Sequence, residues 1–480
     1  MRPRTRVLPW IARPLGAAVT VAVLSGCATT AINDNFGAAA QLTRDRAGAD
    51  VQWLTTDESR RKAEADADAL LANPLGADDA VRIALTYSPA VQAMLFESAA
   101  GSASATQSAR LPNPIFTFEH LLGKDGGVRE LEISRMLAFS IFDLVLLPSR
   151  LRLADYQQQQ LRLKIAGDVV QTATEVRFAW VRAVAAQQSL QYFGQVKMTA
   201  DAGAELARRM QAVGNFNKLQ RAREQAFSAE AVVQFARAMQ IARSTREALI
   251  RALGLSERQA RALKLPDRLP DLPPAPRDEK AVEQAALDQR LDVRMARANL
   301  EFTAREQGLT QVTSVVNGFH IAAADTRETG LPPRRGYALE LPLPIFDFGD
   351  ALRARAQATY MAALNRTAQL AVDVNSQVRE TYSAYRTSYD LARHYRDEIV
   401  PLRKTIAEEN VLRYNGMLIG VFELLADARE QIGSVVQAID AQRDFWLADA
   451  AVEAALIGRP MAGAMMEPGS ASSRRTQGGH

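Results

Sequence analysis

The chain has 480 residues, of which 48% are hydrophobic and 23% are charged. This balance is typical of folded proteins, and the length allows two or three domains. Four arginines lie in the first 26 residues, which contain no acidic residue. Without those four, the 58 Lys and Arg fall to 54 and equal the 54 Asp and Glu, so no basic surplus remains for a nucleic-acid partner.

The N-terminus has the features of an export signal. Four arginines precede an apolar segment over 14–24, and the small residues Ser25 and Gly26 precede Cys27, the only cysteine. Leu24–Cys27 resembles the bacterial lipobox, which predicts removal of a signal peptide over 1–26 and attachment of N-acyl and diacylglycerol lipid to Cys27. Ala28, rather than Asp, favours the outer membrane. The alternative is a plain secretory signal in which Cys27 is incidental.

Beyond a lipidated N-terminal segment over 27–76, two parts of the chain follow one plan. The first repeat covers 77–264 and the second covers 278–458. Two matches between them keep their order: Ile141–Leu144 with Ile345–Phe348, and Phe216–Gln225 with Phe422–Gln431. The linker between the repeats, 265–277, contains five prolines, which favour a stiff, extended segment.

Each repeat is predicted to contain a short helix, a β-hairpin and a long helical hairpin. The β-hairpins are expected at about 113–141 and about 313–346, because apolar residues there recur with a period of two. One apolar face carries Tyr337, Leu339, Leu341, Leu343 and Ile345; another carries Leu131, Ile133, Leu137 and Phe139, interrupted by Arg135. Pro342 and Pro344 are unusual within a central strand.

The long helical hairpins are predicted over 149–253 and 349–457 from apolar positions spaced by three and four. A helix of ~65 residues would be ~95 Å long at the usual rise per residue. Pro401 is expected to kink the third long helix. Two apolar seams stand out: Ala222, Ala226, Ala229, Val233 and Ala236 in the first repeat, and Tyr382, Tyr385 and Tyr389 in the second. We interpret the tyrosines as coiled-coil core rather than a ligand site.

The two β-hairpins give four strands per chain, each long enough to cross a membrane when tilted. Four strands with an apolar outer face cannot close on themselves, and open strand edges are not tolerated in lipid. Closure therefore requires further copies of the chain. Three copies supply twelve strands, which is within the range of membrane barrels.

This combination resembles the TolC-like outer-membrane efflux factor family, in particular its lipoprotein members. Three segments carry the resemblance: Asp79–Pro89, Leu339–Gly349 followed by Arg353 and Arg355, and Arg413–Leu425. The family implies a mainly α-helical homotrimer in which a twelve-stranded β-barrel continues into a long periplasmic α-helical barrel. It also implies an outer-membrane channel that passively conducts substrate from an inner-membrane pump and a periplasmic adaptor, in a tripartite efflux or type I secretion-like system.

The resemblance also implies site residues near the periplasmic end of the helical hairpins. Two turns are candidates for adaptor docking: Val213, Gly214 and Asn215, and Ile419, Gly420 and Val421. Tyr414, Glu423 and Asp427 are candidates for a periplasmic gate, and the alternative for Glu423 and Asp427 is a solvated face of a helical hairpin. Ile419 and Ala426 stand where the family often has charged residues, so the gate contacts would differ here.

No catalytic set, metal site or cofactor is predicted, since the sequence has neither a metal-ligand spacing nor a phosphate-binding loop. His120 and His320 occupy similar points of the two β-hairpins, and we interpret them as barrel-lining or interfacial residues rather than as a metal site. The tail over 459–480 is expected to be disordered. The alternative function is a periplasmic coiled-coil lipoprotein acting as an adaptor or structural spacer, which would need the helices without the barrel. The sequence does not specify the exported substrate.

Overall fold

The computed structural model describes residues 32–44, 50–125, 128–280, 282, 290–315 and 318–458. The predicted signal peptide, Cys27 and the C-terminal tail lie outside these residues. Within them the chain divides into two compact units. The sheet unit contains 32–39, 96–165 and 293–371, and the hairpin unit contains 40–95, 166–292 and 372–458.

The described chain is mostly helical and has four strands, as predicted. The helices are α1 (32–44), α2 (Asp57–Leu71), α3 (Ala77–Tyr87), α4 (Pro89–Ser108), α5 (Ile141–Ala212), α6 (Lys218–Leu253), α7 (Glu257–Ala262), α8 (Leu291–Thr313), α9 (Asp350–His394), α10 (Val400–Asn415) and α11 (Val421–Ile457). The strands are β1 (Ile115–Asp125), β2 (Val128–Ser140), β3 (His320–Glu328) and β4 (Arg334–Glu340). Among the described helices, none is both long and apolar enough to cross a membrane.

The four strands form one antiparallel sheet in the order β1-β2-β3-β4. β1 pairs with β2 from Ile115–Ala138 to Asp125–Val128, which gives the first hairpin. β3 and β4 give the second, and β2 pairs with β3 across almost 200 residues of sequence. The sheet therefore joins the two predicted repeats side by side.

Two boundaries differ from those expected from the sequence. The alternating pattern of the last strand continues to Ile345, but β4 ends at Glu340. Pro342 and Pro344 follow directly, and because proline has no N–H it cannot donate to a ladder. The helix expected to begin at 149, after Pro148, begins instead at Ile141. An ion pair between Arg150 and Asp143 spans Pro148 and supports these first two turns.

The sheet meets its helices at a tight junction in the sheet unit. Gly349 has a φ of 72°, and a Cβ at this position would lie 2.6 Å from the Cβ of Ser314. Arg353 completes the junction, since its Nη1 donates to Ser314 Oγ and to the Phe348 carbonyl, each at 2.8 Å. Only glycine combines this backbone conformation with the close approach of the two segments.

In the hairpin unit, the tyrosine seam of α9 holds the proline-rich linker. Tyr382, Tyr385 and Tyr389 are buried with Phe445, Ala448 and Val452 of α11. Tyr389 Oη donates to the carbonyls of Pro273 and Pro274 at 3.1 and 3.2 Å, and Tyr382 Oη donates to the Arg277 carbonyl at 2.9 Å. The interpretation of these tyrosines as core is correct, and their hydroxyls also fix the linker.

Charged groups complete this attachment. The Arg277 guanidinium donates to both carboxylate oxygens of Asp449, at 2.8 and 3.1 Å, and to Glu453 at 2.8 Å. Burial opposes the charge on Arg277, but the hydrogen bonds and negative charges of Asp449 and Glu453 together outweigh it and raise the arginine pKa. Burial raises the pKa of Asp449, although Arg277 acts in the opposite direction.

The expected kink near Pro401 takes the form of a π-helical turn over Tyr395–Ile399, between α9 and α10. Pro401 lies in the first turn of α10 and has no N–H to continue the α-helical hydrogen-bond ladder. A single π turn commonly absorbs such a break within a long helix. The helix therefore continues to the tip of its hairpin.

We predict that Tyr389→Phe destabilises the hairpin unit by about 1 kcal/mol, because two linker carbonyls lose their donor. The midpoint of thermal unfolding, followed by circular dichroism, should fall. Tyr87→Phe is the matched control, because Tyr87 is half-buried and its hydroxyl has no hydrogen bond to the described residues. Equal midpoints for the two variants would contradict the proposed attachment of the linker.

Candidate functional site

One face of the sheet carries two adjoining apolar rows at the end where the helices begin. The register places Phe116, Leu137, Ala323 and Tyr337 in one row across the four strands, and Phe139, Ile321 and Leu339 in the adjoining row. These large side chains are exposed, Tyr337 to 78%. Soluble proteins rarely leave large contiguous apolar patches exposed to water. Such a face is suited to contact with lipid or with another apolar surface.

The opposite face of the sheet carries mainly small and polar residues, with Ile115 and Leu121 as exceptions on β1. One row contains Ile115, Ala138, Ala322 and Ala338, and the next contains Thr117, Met136, Ala324 and Gly336. Glu119, Ser134, Thr326 and Arg334 follow. The sheet is therefore two-sided, as the period-two pattern predicts, with one face suited to an apolar environment and the other to water.

Arg135, which interrupts the apolar face in the sequence, belongs to a charged row. The register places it directly beside Asp325, whose other neighbour is Arg335. Asp325 accepts a hydrogen bond from Arg335 at 3.2 Å and lies 3.5 Å from Arg327. His120 is on this face, whereas His320 is on the opposite face at the far end of the sheet. The two histidines are thus not brought together.

The two outer strands each pair on one side only. In the described part of the chain, β1 is bonded to β2 and β4 to β3, and neither has a second neighbour. Each outer edge therefore presents a row of backbone N–H and C=O groups that the sheet itself does not satisfy. Such edges readily pair with a strand from another chain.

The first candidate docking turn, at residues 213–217, lies between α5 and α6 in the hairpin unit. Gly214 has a φ of 81°, and the N–H of Asn215 donates to the Met210 carbonyl at 2.8 Å. Asn217 starts α6 through a reciprocal capping box with Gln220. Val213 is exposed, so the turn presents an apolar side chain to its surroundings.

The second candidate turn, at residues 416–420, lies between α10 and α11. Ile419 and Gly420 are in this turn, Ile419 being buried, and Val421 is the first residue of α11. The reversal itself is made by Met417, the one non-glycine residue with positive φ (57°) in the part of the chain described. Met417 is 93% exposed and Leu418 is also exposed. This backbone conformation is unfavourable for methionine, by about 1–3 kcal/mol.

The three gate candidates have different surroundings. Asp427 accepts a hydrogen bond from the buried Asn410, which joins α10 to α11 within one hairpin. Tyr414 and Glu423 are exposed, and their side chains make no hydrogen bond or ion pair to the described residues. The structure of one chain thus brings Asp427 into a contact and leaves the other two at the surface.

The sequence analysis missed a charged contact between the two helical hairpins. Arg429 of α11 donates to Glu224 of α6 at 2.8 Å, and its guanidinium lies 4.3 Å from the centre of the Phe227 ring. Glu224 is only 2% exposed. The signal was present in the sequence, because Ala-Arg-Glu-Gln occurs at both 222–225 and 428–431. The sequence does not show, however, which of the two occurrences of the motif has a buried glutamate.

Comparison with solved structures identifies the fold. The Campylobacter jejuni CmeC outer membrane channel has a TM-score of 0.67 and 13% identity, covering 83% of this chain and 86% of that chain. The outer membrane protein VceC of Vibrio cholerae has a TM-score of 0.67 and 14% identity, covering 80% of this chain and 96% of that chain. The open state of the Neisseria gonorrhoeae MtrE outer membrane channel has a TM-score of 0.63 and 16% identity, covering 79% of this chain and 89% of that chain. The chain has a TolC-like fold.

This result confirms, at the level of the fold, the resemblance seen in the sequence. Of these three proteins, CmeC and MtrE are outer membrane channels and VceC is an outer membrane protein. No protein-family model and no curated protein sequence matches the chain. Among the described residues, no group of three or more His, Cys, Asp and Glu could hold a metal ion.

Proposed function

We propose that the protein is the outer-membrane channel of a tripartite efflux system or a type I secretion-like system. Three copies form the channel, which passively conducts a substrate delivered by an inner-membrane pump and a periplasmic adaptor. The TolC-like fold supports this assignment, since CmeC and MtrE are outer membrane channels. The observation that carries it is the two-sided sheet, whose apolar face is exposed and whose outer edges are unpaired.

The unpaired edges make association of copies the central step. In lipid, each unsatisfied backbone group costs several kcal/mol, so an open sheet cannot span the membrane. The edge of β4 in one copy can pair with the edge of β1 in the next, which leaves no free edge once the ring closes. Three sheets of four strands then give a twelve-stranded barrel with the apolar face towards lipid and the small, polar face towards the lumen.

Lipidation of Cys27 would add a second attachment to the outer membrane. The lipobox-like Leu24–Cys27 supports it, and a diacylglycerol together with an N-acyl chain provides firm anchoring at ~0.8 kcal/mol for each buried methylene. The protein would thus be anchored by lipid as well as by its barrel, with the helices extending into the periplasm.

The exposed hairpin turns are the proposed docking site for the adaptor. Val213, Met417 and Leu418 present apolar side chains at the turns, and Met417 also adopts an unfavourable backbone conformation. Val213, Gly214 and Asn215 would act with Ile419, Gly420 and Val421 of the second turn. Tyr414, Glu423 and Asp427, close to the second turn, are the proposed gate residues, which would hold neighbouring hairpins together in the closed channel.

For the membrane part, we predict that Leu339→Lys impairs barrel assembly while Ala338→Lys is tolerated. The two residues are adjacent in β4 but on opposite faces, so only Leu339 would face lipid. A lysine on the lipid face costs about 2–4 kcal/mol at the bilayer midplane and less towards the ends of the strands, and Leu339 lies towards the end of β4. The amount of trimer in the purified outer-membrane fraction measures the effect, and Ala338→Lys controls for the added charge.

The same pair separates the channel from the alternative, a periplasmic adaptor or spacer. A spacer has no lipid-facing strand, so Leu339→Lys and Ala338→Lys would then behave alike and the unmodified protein would not conduct ions in planar bilayers. Either result would refute the channel proposal.

For the gate, we predict that Glu423→Ala raises the leak conductance of the channel in a planar bilayer. Loss of a carboxylate that contacts the neighbouring hairpin would favour the open arrangement. Glu409→Ala is the control, because Glu409 is also an exposed acid in the same helical hairpin. A conductance equal to that of the control would remove Glu423 from the gate.

A further inference from the structure

The two copies of the Ala-Arg-Glu-Gln motif have opposite surroundings. Glu224 is 2% exposed and accepts from Arg429, whereas its counterpart Glu430 has 60% of its side chain exposed. The arginines differ in the same way. Arg429 is held by Glu224 and Phe227, whereas its counterpart Arg223 is exposed and makes no hydrogen bond or ion pair to the described residues. Glu224 and Arg429 are therefore paired with each other, whereas Glu430 is paired with Arg403 of its own hairpin and Arg223 has no such contact with the described residues.

Apolar packing accompanies the contact between Arg429 and Glu224. One face of α11 lies against the first helical hairpin, where Ile432 packs on a cluster formed by α5 and α6. That cluster contains Tyr192, Val196, Ala200, Phe227 and Ala231. Two turns further along the same face, Ile439 is 6% exposed. Arg429, Ile432 and Ile439 thus mark the face that α11 buries inside the chain.

The equivalent face of α6 is not buried. By the spacing of the repeated motif, Arg429, Ile432 and Ile439 correspond to Arg223, Ala226 and Val233. Ala226 is exposed, and Val233 is 43% exposed. These residues belong to the alanine and valine seam that the sequence predicts to be packed. In a single chain, nothing among the described residues covers them.

The second hairpin has the complementary surface, an open groove of about 960 Å³. Its lining includes Tyr395, Ile399 and Arg403 on one side, and Ala426, Arg429, Glu430 and Gly433 on the other. Glu430 and Gly433 are the counterparts of Glu224 and Phe227, which receive α11 in the first hairpin. Glu430 accepts from Arg403 at 2.7 Å and has a second carboxylate oxygen with which to accept from another donor.

We propose that the α6 face of one copy occupies the groove of the second hairpin in the next copy, with Arg223 donating to Glu430 of the partner subunit. The contact between copies repeats the Arg429–Glu224 contact within the chain. It rests on the proposed assembly of identical copies and identifies the surfaces through which the helical hairpins associate. Because the two surfaces differ, the contact is head-to-tail, and a head-to-tail contact closes into a ring when its rotation permits.

Disulfide cross-linking tests this arrangement directly. Two full-length chains with different affinity tags are co-expressed, one carrying Arg223→Cys and the other Glu430→Cys. A mild oxidant should give a disulfide-linked pair bearing both tags, about tenfold more than the control, because the bond requires Cβ atoms within ~4.5 Å. The control pairs Gln225→Cys with Glu430→Cys, since Gln225 is exposed on another face of α6. Chains with only the native Cys27 give the background.

The outcomes distinguish this inference from the proposed function. If the trimer forms but the Arg223 and Glu430 variants cross-link no better than the control, the inferred contact is wrong and the channel assembly stands. If the unmodified protein is monomeric in detergent, both are wrong.

Matched substitutions provide a second test that does not depend on disulfide geometry. Val232 and Val233 are consecutive valines, each 43% exposed, but they point to different faces of α6. Val233→Lys should raise the concentration at which trimers dissociate by about tenfold or more, because a charge is buried at the contact. Val232→Lys should leave it unchanged. Equal effects of the two variants would overturn the proposed contact.

Discussion

The constraint on which the account depends is the backbone hydrogen bonding of the outer strands. A sheet of four strands, ordered β1-β2-β3-β4, has two edges whose N–H and C=O groups are not satisfied by the described chain. Its apolar face would have to lie in lipid, where water cannot satisfy those groups. The two requirements are compatible only if another strand completes each edge. Identical copies are the simplest source, because β1 and β4 of one sheet present opposite edges.

The hairpin unit also has surfaces that the described chain itself leaves uncovered, and here the uncovered groups are side chains. Within one chain, α11 buries its Arg429 face against the first hairpin, while the equivalent face of α6 and the groove of the second hairpin stay open. The tyrosines of α9 and the Arg277–Asp449 pair attach the linker within the same unit. Interactions inside the chain therefore cover the tyrosine seam of α9, whereas the α6 seam stays exposed among the described residues.

Local sequence patterns predicted the elements well, because period two and heptad spacing report which face of a strand or helix is buried. They failed where a proline lies near the end of an element. β4 ends before Pro342 and Pro344 although the apolar alternation continues to Ile345. In contrast, α5 begins at Ile141, before Pro148, although the sequence predicts a start after this proline. The role of Arg135 could not be predicted, since Asp325 becomes its neighbour only through the pairing of β2 with β3. The different burial of Glu224 and Glu430 was equally hidden, because their local sequences are the same and only packing between hairpins distinguishes them.

The most direct test of the central claim is a three-dimensional electron-microscopy reconstruction of the full-length protein purified in detergent or in a lipid nanodisc. The account predicts a three-fold particle in which β4 of each copy is paired with β1 of the next and the strands enclose one continuous lumen. A particle containing a single copy, with the apolar face of its sheet covered by its own helices, would contradict it.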